Sequence, residues 1–259
     1  MLASYPMYNQ PETQIWVDRW WQAVVAELDA MGVDGPLILT QPKDYYAHWQ
    51  AHDLLLSQTC GYPLTHALQG KVQYLITPCY DSPYNQGAYY CSLLLVSEQS
   101  ALLALKNGAD MTRLAGLSLA YNSLDSQSGY HCLRPLLAGM GLNKHADFFG
   151  PMLPTGGHRQ SLAMVQQGQA QLCAVDCVTY ALLAKHAPQS VAGLRLVGTT
   201  PQVPGLPLIT SLMTSADVVD QLRTAIFAVQ KDAAMAGVMG QLLIKDWQVL
   251  PLAEYEVLK

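Results

Sequence analysis

Ser126, Gln127, Ser128 and Gly129 stand in a run of turn-forming residues, Asn122 to Gly129, between an apolar stretch and the apolar spacing that resumes over His131 to Met140. Small hydroxyl residues that open onto a helix suit one chemistry in particular. The first amides of a helix have no intrahelical partner and carry the positive end of its dipole, so a phosphate-like oxyanion can sit there without any lysine. Hydroxyls of Ser126 and Ser128 would complete such a cradle. Equally, Asp125, Ser126 or Ser128 could do no more than cap a helix beginning near Gly129. A second block follows about thirty residues on, where Gly156 and Gly157 precede His158. Glycines at a helix opening permit close backbone approach, and an imidazole at that mouth could donate to an anionic oxygen. Ser161 is a weaker candidate in the same block, and Arg159 reads equally well as a solvated charge. Asp176 ends the apolar run Leu172 to Val175, so it is a carboxylate at the end of a buried strand and needs a partner. It could cap a helix beginning at Val178.

The order and spacing of three blocks resemble the solute-binding proteins of phosphate and phosphonate ABC transporters. The blocks are Ser126-Gln127-Ser128-Gly129-Tyr130, Gly156-Gly157-His158, and Gly168-Gln169-Ala170-Gln171 stepping into Leu172-Cys173-Ala174-Val175-Asp176. The resemblance runs from Leu2 to about Ala228. It implies an α/β protein with the two-lobed type II periplasmic-binding-protein fold, each lobe a mixed sheet flanked by helices. Its function would be to close by hinge motion on a small phosphate- or phosphonate-like anion, with an ABC permease as partner, no cofactor and no metal, acting as a monomer. In relatives that bind aminoalkyl phosphonates, an acid such as Asp176 would face the ligand's ammonium. Gln127 stands where the family often has Thr and Gln171 where it often has Asp, so the identity of the anion is not carried over.

Leu117, Leu119 and Tyr121 alternate with small or polar residues, as a strand delivering the serine turn would. Glu12 to Met31 carries Ile15, Trp16, Trp20, Val24, Leu28 and Met31 at helical spacing between Pro11 and Gly32, with the tryptophans as core. Leu2 to Met7 and Pro36 to Thr40 read as strands and Tyr45 to Gln50 as a helical piece, a βαβα start that points to a parallel sheet. His48 and His52 stand four apart, a spacing that could share a metal on one helix face, but the strand-like Asp53 to Gln58 would break that helix. Loops beyond the carboxyl ends of parallel strands are where open sheets bind ligands, which makes Gln58, Thr59 and Tyr62 candidate contacts, unless 59 to 63 is simply a turn. Gln73 to Cys79 and Ala88 to Val96 read as strands on either side of a first hinge near 84–88, where Tyr84 could also reach ligand. Ser97 to Arg113 reads as a helix and a connecting loop. The proline-rich stretch 201–207 suits the second hinge. Lobe I would then be 1–86 with 206–259, and lobe II 87–205.

With 259 residues, 51% of them hydrophobic and only 13% charged, the chain can bury large cores, and no segment reads as disordered. A net charge of −5 leaves no basic footprint for nucleic acid, and no apolar run reaches the roughly 18 residues a membrane span needs. Met1 leads straight into Leu2 to Met7 without the basic and apolar segments of an exported precursor. The six cysteines, Cys60, Cys79, Cys91, Cys132, Cys173 and Cys177, read as buried thiols suited to a reducing compartment, whereas the resemblance implies the periplasm. An intracellular ligand sensor of the same fold is the alternative. Enzyme readings meet the same residues: Ser128, His158 and Asp176 are the types a serine hydrolase uses. The nucleophile elbow fails because residue 126 is Ser and not Gly, and the order Ser, His, Asp is not that of the α/β-hydrolases. The chain is therefore expected to be a binder and not an enzyme.

Overall fold

The computed structural model describes residues 1–102 and 108–259. Two compact units emerge, Met1–Tyr89 with Pro204–Lys259, and Tyr90–Val203. The outward crossing lies three residues after the expected boundary at 86 and the return two residues before the expected one at 205.

The first unit opens with β1 (Leu2–Ala3), α1 (Gln14–Ala30), α2 (Tyr45–Trp49), β2 (Leu54–Gln58), α3 (Gly61–Thr65) and β3 (Val72–Tyr80). After β4 (Tyr89–Tyr90) the second unit holds β5 (Ser92–Ser97), β6 (Leu119–Tyr121), α4 (Arg134–Gly139), β7 (Met152–Pro154), α5 (His158–Gln166), β8 (Leu172–Asp176), α6 (Cys177–His186) and β9 (Leu194–Thr199). The chain returns through β10 (Val203–Pro204), then β11 (Leu208–Ser211), α7 (Ala216–Lys231), α8 (Ala236–Gln241) and β12 (Ile244–Gln248).

In the first unit the sheet order is β1-β2-β11-β3-β12. β1 and β2 are parallel and β11 is antiparallel to both β2 and β3, so β1, β2 and β3 end on one edge. Helix α1 forms because Val17, Trp20, Trp21, Val24, Val25 and Leu28 recur on one face, all of them buried. Trp20 packs on Tyr5 at 5.2 Å and stacks on Trp247 at 5.6 Å. The expected stripe was partly misdrawn: Ile15 is 55% exposed, and Trp16 instead lies under the Arg19 guanidinium at 5.2 Å.

Pro36 to Thr40 is not a strand. Leu37 and Ile38 are exposed, and only the Thr40 amide reaches β1, donating to the Ala3 carbonyl at 2.7 Å. The initial strand is likewise only two residues long, so the expected βαβα start reduces to βααβ. Ala88 to Val96 is interrupted at Cys91 into β4 and β5. Residues 103–107 of the expected helix between Ser97 and Arg113 lie outside the described residues, and Gly108–Leu114 forms a 3₁₀ segment.

The second unit has the sheet order β7-β6-β8-β5-β9. β6 runs parallel to both β7 and β8, while β5 is antiparallel to β8 and β9. Leu94, Val96, Leu119, Leu172, Ala174 and Val197 turn one sheet face into a core that Leu133, Leu137 and Phe149 cover. Parallel β6, β7 and β8 therefore deliver three loops to one edge, and those loops are Asn122 onward, Thr155 to Gly157, and Asp176.

Candidate oxyanion site

The serine turn does not open directly into a helix. Ser126 Oγ accepts from the Gly129 amide at 2.9 Å, the Ser126 carbonyl accepts from the amides of Tyr130 and His131, and a 3₁₀ turn follows over His131–Leu133 before α4 starts at Arg134. The expected helix from Gly129 to Met140 is thus shortened at its start. Pro135 supplies the reason. A proline inside a helix lacks its N–H and clashes with the carbonyl four residues back, whereas in the first turn both costs vanish.

The turn itself is tight and buried, with Ser126 8%, Gln127 5% and Ser128 4% exposed. Gly129 allows that tightness, because a Cβ there would lie 2.6 Å from Asn122 Oδ1 and 3.0 Å from Ser126 Oγ. The Gln127 carbonyl accepts from the Cys132 amide at 2.7 Å, and the Ser128 carbonyl from the Cys132 thiol at 3.0 Å.

The second loop reaches the same place. Thr155 and Gly156 donate their amides to the carbonyls of Tyr121 and Asn122, both at 2.9 Å, which continues the β6–β7 pairing past the strand ends. Gly156 then turns through φ +85°, a left-handed conformation that favours glycine. Gly157 stands at the N-cap of α5 and offers no side chain, so the first amides of that helix are left without a side-chain cap. His158 opens the helix, and its Nε2 lies 2.8 Å from Ser128 Oγ. Burial lowers its pKa to about 3, against an opposing pull from the Ala174 carbonyl, so the imidazole is neutral at ordinary pH. Ser161 is fully buried, and its hydroxyl bonds Thr155 Oγ1 at 2.7 Å and donates to the Gly157 carbonyl at 3.2 Å, bracing the loop from behind. Arg159 donates to Ser190 Oγ at 3.2 Å.

At the third loop the helix start is already occupied. Asp176, 2% exposed, is the N-cap of α6. Its Oδ1 accepts from the amides of Val178 at 2.7 Å and Thr179 at 3.1 Å, and its Oδ2 from Thr179 Oγ1 at 3.3 Å. Of the two helices that directly follow β7 and β8 at this edge, α6 carries its own anion at its start and α5 does not.

Gln58, Thr59, Tyr62 and Tyr84 belong to the first unit. Gln58 ends β2, Thr59 follows it, and both are fully buried. Gln58 Nε2 donates to the Leu206 carbonyl at 3.4 Å while its Oε1 has no hydrogen-bond partner among the described residues, and the Thr59 amide donates to the Pro207 carbonyl at 3.1 Å. Tyr62, on α3, stacks on His66 with ring centroids 3.7 Å apart, and Tyr84 lies half-buried in the loop after β3. His48 Nε2 is 2.8 Å from Ser4 Oγ, and among the described residues no three His, Cys, Asp or Glu side chains are grouped to hold a metal.

Thr155 and Asn122 were not among the expected residues. Thr155 carried a readable signal in its place directly before two glycines, since its hydroxyl also donates to the Gly157 carbonyl at 3.0 Å. Asn122 carried none, because its contact with Gly129 follows from the turn's path.

A family model described as ABC transporter, phosphonate, periplasmic substrate-binding protein matches residues 33–255. The chain belongs to that family. It is a solute-binding protein with the type II periplasmic-binding-protein fold, as the resemblance implied. Among solved structures it is similar to PhnD1 from Prochlorococcus marinus (MIT 9301) in complex with methylphosphonate, at 16% identity and a TM-score of 0.78 over 99% of this chain and 94% of that one. It is also similar to a binding protein component of an ABC phosphonate transporter from Pseudomonas aeruginosa, at 16% identity and a TM-score of 0.74 over 95% and 80% of the two chains. A protein from Xanthomonas citri bound to chloride ion shares 14% identity and a TM-score of 0.73 over 100% and 98%. At such identities these likenesses speak for the fold. No curated protein matches the sequence. No helix among the described residues is long and apolar enough to cross a membrane.

Proposed function

We propose that this family member holds a small phosphonate-type oxyanion where the serine turn meets the start of α5, and passes it to an ABC permease. The observation that carries the reading is the 2.8 Å contact between Ser128 Oγ and His158 Nε2, which joins the turn to a helix start that carries no side-chain cap. The ligand's charge would be met by neutral donors, namely the α5 amides, the Ser128 hydroxyl and the serine-turn backbone. A neutral His158 fixes the direction of that hydroxyl without adding charge. Similarity to a protein solved with methylphosphonate supports the same ligand class.

The Ser128–His158 pair also has the look of an activated nucleophile, and binding is the better reading. Both carboxylate oxygens of Asp176 accept hydrogen bonds from the first turn of α6, so the acid that would complete a triad serves as a cap. A thermal-shift screen against methylphosphonate, phosphite, phosphate, sulfate and an ester substrate tests this. A ligand at about 100 times its Kd adds roughly 2.7 kcal/mol. The reading predicts a selective shift with phosphonate-type anions and no ester turnover. No shift with any anion, or measurable ester hydrolysis, would overturn it.

A further inference from the structure

Cys91 and Cys177 oppose one another across β5 and β8. The antiparallel register pairs Leu93 with Val175 and Ser92 with Asp176, so the next residues outward are these two cysteines. The Cys177 amide donates to the Cys91 carbonyl at 3.1 Å, which carries the β5–β8 pairing one step past the end of β8, and the Cys91 backbone hydrogen-bonds the Cys177 sulfur. Residues directly opposed across an antiparallel pair have Cα atoms about 4.5–5.5 Å apart and side chains on one face of the sheet. That separation falls within the roughly 4.4–6.8 Å that a disulfide requires.

The two thiols hydrogen-bond each other, which lowers the pKa of Cys91 and raises that of Cys177, while the neighbouring Asp176 carboxylate raises both. Cys91 is 3% exposed and Cys177 fully buried. In the same unit Cys173 is paired in register with Leu95, and the Cys132 thiol donates to the Ser128 carbonyl. No disulfide joins any of the six cysteines in this structure.

We propose that Cys91 and Cys177 are an oxidation site, which a low-molecular-weight disulfide of the glutathione type converts to a reversible cross-strand bond between the entry to β5 and the first turn of α6. The Cys91 thiolate attacks one sulfur of the oxidant and releases one reduced thiol, leaving a mixed disulfide on Cys91. The Cys177 sulfur, as it loses its proton, then attacks the Cys91 sulfur and releases the second. Two protein thiols are oxidised, one small disulfide is reduced to two thiols, and those thiols take the two protons. The bond closes residues 91–177 into a loop, which restricts the unfolded chain and raises the melting temperature.

The test incubates the full chain in an oxidising glutathione buffer with urea below the unfolding midpoint, so that local opening exposes the pair. Alkylation, intact mass and peptide mapping follow. The expected result is a single Cys91–Cys177 peptide, a loss of about two mass units, a melting temperature several degrees higher, and reversal by dithiothreitol. Cys91→Ser and Cys177→Ser should each abolish the cross-link. Alkylation of all six thiols at equilibrium, or a bond between other cysteines, would overturn the proposal.

Discussion

Replacing Ser128 with alanine separates two things this hydroxyl does. It makes a part-buried hydrogen bond to His158 Nε2 at 2.8 Å, and the residue is 4% exposed. A neutral hydrogen bond is worth about 1 kcal/mol net, and leaving a buried partner unsatisfied adds about 1–3 kcal/mol. Stability should therefore fall by about 1–3 kcal/mol, or a few degrees in Tm at this chain length. Toward ligand, a hydroxyl bonded to an anionic oxygen is worth about 1.5–3 kcal/mol, a loss of roughly 10- to 150-fold in affinity. The α5 amides remain in Ser128→Ala, so binding should weaken without disappearing. Calorimetric titration with methylphosphonate reads the affinity, and thermal unfolding without ligand reads the fold. A variant that unfolds a few degrees earlier yet binds as tightly as the unmodified chain would show that Ser128 supports the turn and does not touch ligand.

Three further outcomes follow from the same geometry. Asp176→Ala should cost about 1–2 kcal/mol of stability through the lost α6 cap while changing methylphosphonate affinity less than twofold; a large affinity loss in titration would place the carboxylate in the site. Gly129→Ala puts a methyl 2.6 Å from Asn122 Oδ1, so the turn must shift, lowering stability by about 1–3 kcal/mol and affinity at least about tenfold, as unfolding and titration would show. Because burial lowers the pKa of His158 to about 3, the unfolded chain binds the extra proton first as pH drops below about 6.5, and stability declines toward pH 3 by up to about 1.4 kcal/mol per unit from this group. His48 and His145, lowered by burial as well, add to the slope, so His158→Gln should flatten it without removing it; an unchanged slope in urea midpoints from pH 7 to 4 would refute that account.

Much of the fold was legible because burial imposes clean patterns. The alternation of Leu117, Leu119 and Tyr121 and the one-sided face of α1 are of this kind. Pro36 to Thr40 misled because a short apolar run carries no period, and here Leu37 and Ile38 face solvent. The serine turn was visible as a turn but its helix was begun five residues too early, and Pro135 was the unread signal. For Asp176 the residue type fits an ammonium partner and a helix cap equally well; only the positions of the Val178 and Thr179 amides show the cap. Ser161 was expected to meet ligand, but its bonds to Thr155 and Gly157 depend on where the chain folds back, which no spacing encodes.

The most direct measurement is a crystal structure of the full chain grown with methylphosphonate. The account predicts phosphonate oxygens within hydrogen-bond distance of Ser128 Oγ and of the first amides of α5. A phosphonate seated away from both, or bound at the Asp176-capped start of α6, would contradict it.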